Sequence, residues 1–506
     1  MTFVGGLTRN FLANYFGLGW SAIMAIAFLP FYVDRLGLEA YGLIGFFAVM
    51  QSILALFDLG LAPTLTREAA SISANMLNSR NIRDLLRSIE CISFVIALAL
   101  VLVIFTFAET IATNWIRSEN LSVSDVVYFV RVMSFVFAAR LLEGIYRGIL
   151  IGLELQVRFN ILNACVSTIR YAGAAIILDI VSEPLNAFFL WQAAISLVSL
   201  ATVAKVAYTA LPVAEDRVDI SLAALQKVWR FSAGMTAVSI TSLVVTNLDK
   251  FLLSGVLTLN EFGQYSLASV AASLLYTLLI PITLSVYPRL VINHVDRNLN
   301  GTLITYRISS QLAASVAGSA GLCLAFFSME VIYVWSGNIN LAKAVSPLLK
   351  ILALAALANC FGHIGINLMQ ARGNTLVMLC INCFVLLCSV IFLQWIARKH
   401  GINSAAIFWC GIAFIQATIT LILANICAFN RLGCRQIFND LISPMLGAFA
   451  VCCAAYLVRP DLTSSRVHVG IFLMFAGGAA VVLAILCTKE LRTLFFNYID
   501  SKNTQI

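Results

Sequence analysis

Residues 91–108 read CISFVIALALVLVIFTFA, eighteen positions without a charge. As a helix rising about 1.5 Å per residue, this run comes close to the roughly 30 Å hydrocarbon thickness of a bilayer. It is continuous, whereas the strands of a membrane barrel alternate lipid-facing and inward-facing residues. In lipid the backbone must pair its own N–H and C=O groups, so such a run is helical. Similar runs lie on both sides of it. Spans are read at 11–33, 40–62, 88–109, 126–149, 159–181, 186–209, 231–254, 263–290, 308–335, 346–370, 376–396, 405–427, 443–459 and 467–487, fourteen in all. The composition agrees: of 506 residues 61% are hydrophobic and 11% charged, with a mean hydropathy of +0.94. The expected fold class is an all-α polytopic membrane protein. The longest loops, 63–87 and 210–230, hold about two dozen residues, too few for a soluble domain.

Lysine and arginine orient the spans, because cytoplasmic loops carry the excess of both. With the N-terminus inside, twenty of the 32 bases fall on the cytoplasmic side and seven outside. Both termini are therefore expected in the cytoplasm. The basic inner face accounts for most of the net charge of +8 and gives no reason to expect nucleic acid. Arg9 and Ala25-Ile26-Ala27 have the outline of a secretory signal. The apolar run continues to Val33, however, so an uncleaved first helix is expected. Most of the 13 cysteines lie within spans. Cys380-x-x-Cys383 sits in an apolar helix and reads as two small hydrophobes. No disulfide framework and no cofactor are expected.

A faint repeat runs through the chain. Tyr41-Gly42 and Phe262-Gly263 open the second and eighth spans, 221 residues apart; Arg67 and Arg289 close them, 222 apart; Gly148-Ile149 and Gly365-Ile366 match at 217. The offset is six spans, an even number, so both copies have the same orientation and are related by an axis along the membrane normal. The implied organisation is an N-terminal lobe at 1–209, a cytoplasmic linker at 210–230, a C-terminal lobe at 231–427, and two appended helices with a tail at 428–506.

Charges inside the spans carry the functional reading. An arginine at the centre of a bilayer costs on the order of 3 kcal/mol. Arg140, Glu143 and Arg147 are spaced three and four apart, on one helical face. They form either a wet, lumen-facing site or a buried ion network that locks the lobe. Arg131 lies nearly on the opposite face, closer to the outer end. Arg170 sits mid-span between Ile169 and Tyr171 with no acidic neighbour, and its guanidinium suits a phosphate. Asp249 and Lys250 are adjacent, about 100° apart around the helix, so one is expected toward the lumen and the other toward the lobe interface. A rim ion pair is the alternative. Asp58 and His363 are single titratable groups in apolar surroundings, open either to proton coupling or to a buried structural role. No P-loop occurs, so no nucleotide hydrolysis and no enzyme activity are expected.

The stretch from Phe31 through Asp34-Arg35-Leu36-Gly37 and Glu39-Ala40-Tyr41-Gly42, followed by Asp58-Leu59-Gly60-Leu61 and Thr66-Arg67-Glu68, resembles the opening of bacterial polysaccharide-unit flippases of the Wzx type. Asn247-Leu248-Asp249-Lys250-Phe251 with Glu261-Phe262-Gly263 resembles the start of their second lobe. These flippases belong to the multidrug/oligosaccharidyl-lipid/polysaccharide exporter superfamily. The resemblance implies two lobes around a cationic cavity in the inner membrane. It implies an undecaprenyl-diphosphate-linked oligosaccharide as cargo, moved to the periplasmic leaflet by alternating access for O-antigen or another surface polysaccharide. Arg140, Arg170, Arg131 and Lys250 are the substrate-binding candidates. Glu143, Asp249 and Asp58 are the candidates for coupling to a proton or sodium gradient. The implied partners are membrane lipid, a polysaccharide polymerase and a chain-length regulator. A multidrug or organic-ion antiporter, a lipid II flippase and, less well matched, a polymerase are the competing readings.

Overall fold

The computed structural model describes residues 3–54, 57, 61–73, 79–153, 155–211, 246–372, 374–430, 434–460 and 465–492. Helices α1 to α7 are Phe3–Leu36, Leu38–Leu54, Leu61–Ser73, Ser79–Thr110, Val123–Gly152, Gln156–Ile180 and Pro184–Ala210. After helical residues 246–254 come α8 to α16: Leu259–Val295, Leu299–Ala313, Ser319–Phe326, Ser328–Ser336, Ile339–Ala371, Thr375–Phe429, Cys434–Ile437, Ser443–Leu457 and Arg466–Leu486. Among the described residues the regular structure is helical, apart from one isolated bridge between Arg117 and Thr258. Nine helical stretches there are long and apolar enough to cross a membrane. The chain is an all-α, multi-pass membrane protein. The count of fourteen stays with the sequence. The 231–254 span lies mostly outside the described residues, α2 has 17 residues, and α5 carries Arg131, Arg140, Glu143 and Arg147.

The helices begin and end where local chemistry allows. Ser122 accepts from Asp125 N at 3.1 Å to cap α5. Asn338 accepts from the N–H groups of Asn340 and Leu341 to cap α12. Gly337 ends α11 in the left-handed region, φ +72°, where a Cβ is costly. Two boundaries differ from the expected spans. The second span is not one helix: α2 ends at Leu54 and α3 runs from Leu61 to Ser73, into the expected 63–87 loop. The reason is packing. Leu61, Leu65 and Ala69 recur every fourth residue and are buried against α4, α5 and α7, so the amphipathic stretch folds onto the lobe. The eleventh and twelfth spans run together in α13, broken only at Gly401, φ +80° and ψ −179°.

The chain divides into two compact units, Met1–Gly263 and Gln264–Ile506. In the first, α6 joins α1 through polar contacts. Trp20 Nε1 donates to Thr168 Oγ1 (2.9 Å), Ser21 and Ser167 share a hydrogen bond (3.0 Å), and Tyr32 Oη donates to the Tyr171 carbonyl (2.6 Å). Interhelical hydrogen bonds of this kind hold membrane helices together where apolar burial gives no net drive. Aromatic rings fill the space between α1, α2, α5 and α7, with Phe129 stacked on Phe189 at 4.6 Å and Phe47 edge-on to it at 5.3 Å. In the second unit α12 packs on α13 through Ala355, Ala358, Ala413 and Ala417. The last helices are docked by polar bonds. Asp440, 1% exposed, accepts from Arg307 Nε (3.1 Å) and Gln311 Nε2 (2.7 Å), while Arg307 also reaches Glu490 (2.9 Å).

Candidate functional site

Arg140 projects from the middle of α5 toward three other helices. With the Gln51 amide oriented by its hydrogen bonding, its oxygen on α2 accepts from Arg140 Nε (3.3 Å) and Nη1 (3.2 Å). Glu143, one turn further along α5, feels the charge of Arg140 and Arg147 and accepts a hydrogen bond from Ser199 on α7. Tyr171 on α6 is within electrostatic reach of Arg140. Arg140, Glu143 and Tyr171 are each hemmed in by protein, yet each keeps accessible surface. Four helices therefore bring one guanidinium, one carboxylate, an amide, a hydroxyl and a phenol together in the first unit.

Arg170 is placed differently. It is 6% exposed, and its Nη1 has no hydrogen-bond partner. Its carbonyl accepts from Trp191 Nε1 at 3.2 Å, which fixes the backbone of α6 against α7. A buried guanidinium N–H without an acceptor is costly. An anionic oxygen is the acceptor that repays it most strongly.

The remaining candidates are dispersed. Arg131 is exposed and lies 4.7 Å over the Phe105 ring, away from Arg140. Arg147 is exposed over Phe159 at 5.6 Å. Lys250 Nζ lies 3.5 Å from the buried Asp249 carboxylate. Although their Cβ directions diverge, the four-carbon lysine stem bends round to its neighbour. Asp58 lies outside the described residues. His363, in the second unit, meets Tyr276 edge-on at 5.9 Å.

The family model for polysaccharide biosynthesis proteins matches residues 7–294, more than half of the chain. The chain belongs to this family. It is 23% identical over 413 residues to a Shigella flexneri protein named "Putative O-antigen transporter", covering 80% of this chain and 94% of that one. Among solved structures it is similar to the lipid II flippase MurJ in an inward closed conformation, with a TM-score of 0.67 at 14% identity, covering 97% of this chain and 99% of that one. It is also similar to an inward-facing multidrug resistance MATE transporter of the MOP superfamily, with a TM-score of 0.64 at 14% identity, covering 80% and 94%. The chain has the fold of MOP-superfamily transporters.

Within this family member, the sequence reading missed Gln51, Tyr171 and Ser199. Each is uncharged, and an isolated amide or hydroxyl in an apolar run costs too little to stand out. It also missed the role of Glu39. That carboxylate accepts from Glu119 N (2.7 Å), Asn120 N (3.0 Å) and Asn120 Nδ2 (2.7 Å). Glu39 was legible only as part of the Glu39-Ala40-Tyr41-Gly42 motif.

Proposed function

We propose that the protein carries undecaprenyl-diphosphate-linked oligosaccharide units from the cytoplasmic to the periplasmic leaflet of the inner membrane by alternating access, for O-antigen or another surface polysaccharide. The observation that carries this reading is the buried Arg170 Nη1, which has no hydrogen-bond partner, on the helix that also brings Tyr171 toward Arg140. A diphosphate offers the acceptors that Arg170 lacks. The Gln51–Arg140–Glu143–Ser199 cluster gives a polar head a wet surface within the first unit. A cationic-drug exporter is the poorer fit, because it needs acidic walls. Glu143 is the best-placed coupling group. It sits beside two arginines, so it can exchange an arginine for a proton as substrate phosphate arrives.

The test is Arg170→Ala. Surface polysaccharide is expected to disappear while the protein reaches the membrane at normal levels. Arg170→Lys is expected to restore only part of it, because lysine keeps the charge but not the bidentate geometry. Full surface polysaccharide in the alanine variant would reject the assignment.

A further inference from the structure

Arg131 is a charge within a span that the polar cluster around Arg140 does not use. It lies nine residues before Arg140, which turns it about 180° round α5. Its neighbours on that face are large, apolar and exposed: Tyr128 one turn before it and Phe135 one turn after it. The adjoining α4 packs beside α5, with Ala97 and Leu100 buried against Leu141. Next to that seam α4 carries its own line of exposed side chains, Phe94, Leu98, Leu102 and Phe105, spaced four, four and three apart. In a chain that crosses a bilayer, apolar side chains left exposed along several turns face the acyl chains. Arg131 therefore stands in the lipid-facing side of the first unit.

The Arg131 guanidinium lies over the Phe105 ring, Cζ 4.7 Å from the centroid. Among the described residues it has no side-chain hydrogen bond and no ion pair. Glu109 stands one turn beyond Phe105 on α4, yet the two form no ion pair. A ring face attracts the charge but leaves the five N–H donors without an oxygen. Acyl chains supply none either. By helical rise Arg131 sits about 12 Å inside the start of α5, and Phe105 about 8 Å inside the end of α4. The Cβ of a helical residue leans toward the N-terminal end, which for α5 is the end that the charge count places outside. The stem therefore leads toward the headgroups and away from the bilayer centre, the direction in which a long cationic side chain snorkels.

We infer that Arg131, with Phe105 and Tyr128, is a binding site for the phosphodiester of an anionic phospholipid, on the outward face of the first unit at the α5 start. The planar guanidinium matches two oxygens of one phosphate. Phe105 holds the fork by its face. The Tyr128 phenol lies one turn nearer the surface, where rings with a polar tip settle. One guanidinium neutralises one phosphodiester. A headgroup amine would set a second cation beside it, whereas a glycerol headgroup adds none. The lipid-linked diphosphate of the transport reading fits less well, because it carries more charge than a single arginine offsets and Arg131 is turned away from Arg140. The site stands or falls separately from that reading.

The full-length protein, purified in detergent, is offered phosphatidylglycerol and phosphatidylcholine with matched acyl chains, and the lipids that stay bound are counted by native mass spectrometry. The unaltered protein is expected to hold one phosphatidylglycerol about tenfold more tightly than phosphatidylcholine, the worth of a charge-assisted hydrogen bond. Arg131→Ala is expected to remove that preference and leave the weaker binding steps unchanged. Arg131→Lys is expected to recover part of it, since the charge returns without the fork. Phe105→Leu keeps apolar bulk but loses the ring, and is expected to weaken binding by a factor of about three to five. Phe94→Leu, on the same line of α4, is expected to change nothing. If Arg131→Ala does not accumulate, the lysine and Phe105→Leu variants carry the test. Equal retention of the two lipids by the unaltered protein, or the same preference in every variant, would overturn the site. A preference that emerges only in Glu109→Gln would give the arginine to that carboxylate and overturn it too. Retention of undecaprenyl diphosphate through Arg131, without any preference for phosphatidylglycerol, would reassign the site to the cargo and reject the phospholipid.

Discussion

A charge in hydrocarbon is the most visible kind of residue in a membrane sequence, since each one must be offset by about 3 kcal/mol from elsewhere. Arg140, Glu143 and Arg170 were legible for that reason, and the structure gives each a distinct setting. Arg140 and Glu143 belong to one polar cluster, while Arg170 is buried with an open N–H. Their partners on other helices were not legible, because the sequence does not say which residue of α2 or α7 will face α5. At this scale the coupling role of Glu143 can be tested. In reconstituted vesicles, an imposed proton or sodium gradient is expected to speed flipping of a lipid-linked oligosaccharide. Glu143→Gln is expected to remove most of that acceleration, about tenfold, while leaving the ungraded rate in place. Flipping by the unaltered protein that runs equally fast with and without a gradient would make the carboxylate structural.

At the scale of elements, run length and hydropathy predict where helices lie but not where they break. The break before Leu61 and the π-helical turns at Ile111–Trp115, Ala314–Gly318 and Phe438–Ile442 follow from packing against neighbours, which hydropathy does not encode. Gly401 is the exception that a turn rule could have found. It adopts φ +80° and ψ −179°, a conformation essentially reserved for glycine, and a Cβ there would meet nothing within 4 Å. The site therefore separates backbone strain from crowding. Gly401→Ala is expected to cost about 1–3 kcal/mol, read as a lower unfolding temperature in detergent. Gly411→Ala, also in open space but without the positive φ, serves as the comparison. An alanine at 401 that leaves the unfolding temperature unchanged would show that the corner has another way to turn.

For the whole molecule, the charge count of twenty inside against seven outside is a prediction about orientation. Reporter fusions or cysteine labels at Glu119 and Asp461 are expected to register outside, and at Arg80 and Ser501 inside. A reversed signal at either outer position would invert the arrangement. The helical class was legible because hydropathy is a bulk property summed over twenty residues. The close approach of Gly42 to the Leu259 carbonyl and of Gly263 to the Leu38 carbonyl was visible only as a faint 221-residue offset, since two glycines in 29 say little until their carbonyl partners are known. One last consequence concerns synthesis. α13 places Arg398, Lys399 and His400 directly before the Gly401 corner, with no tether longer than the turn itself. With the termini inside, as the charge count predicts, the two arms are expected to enter the bilayer as a hairpin whose cationic tip is pushed across against the membrane potential before either arm settles. On that topology, translation through the second arm, and not the first alone, is expected to commit this part of the chain to the membrane.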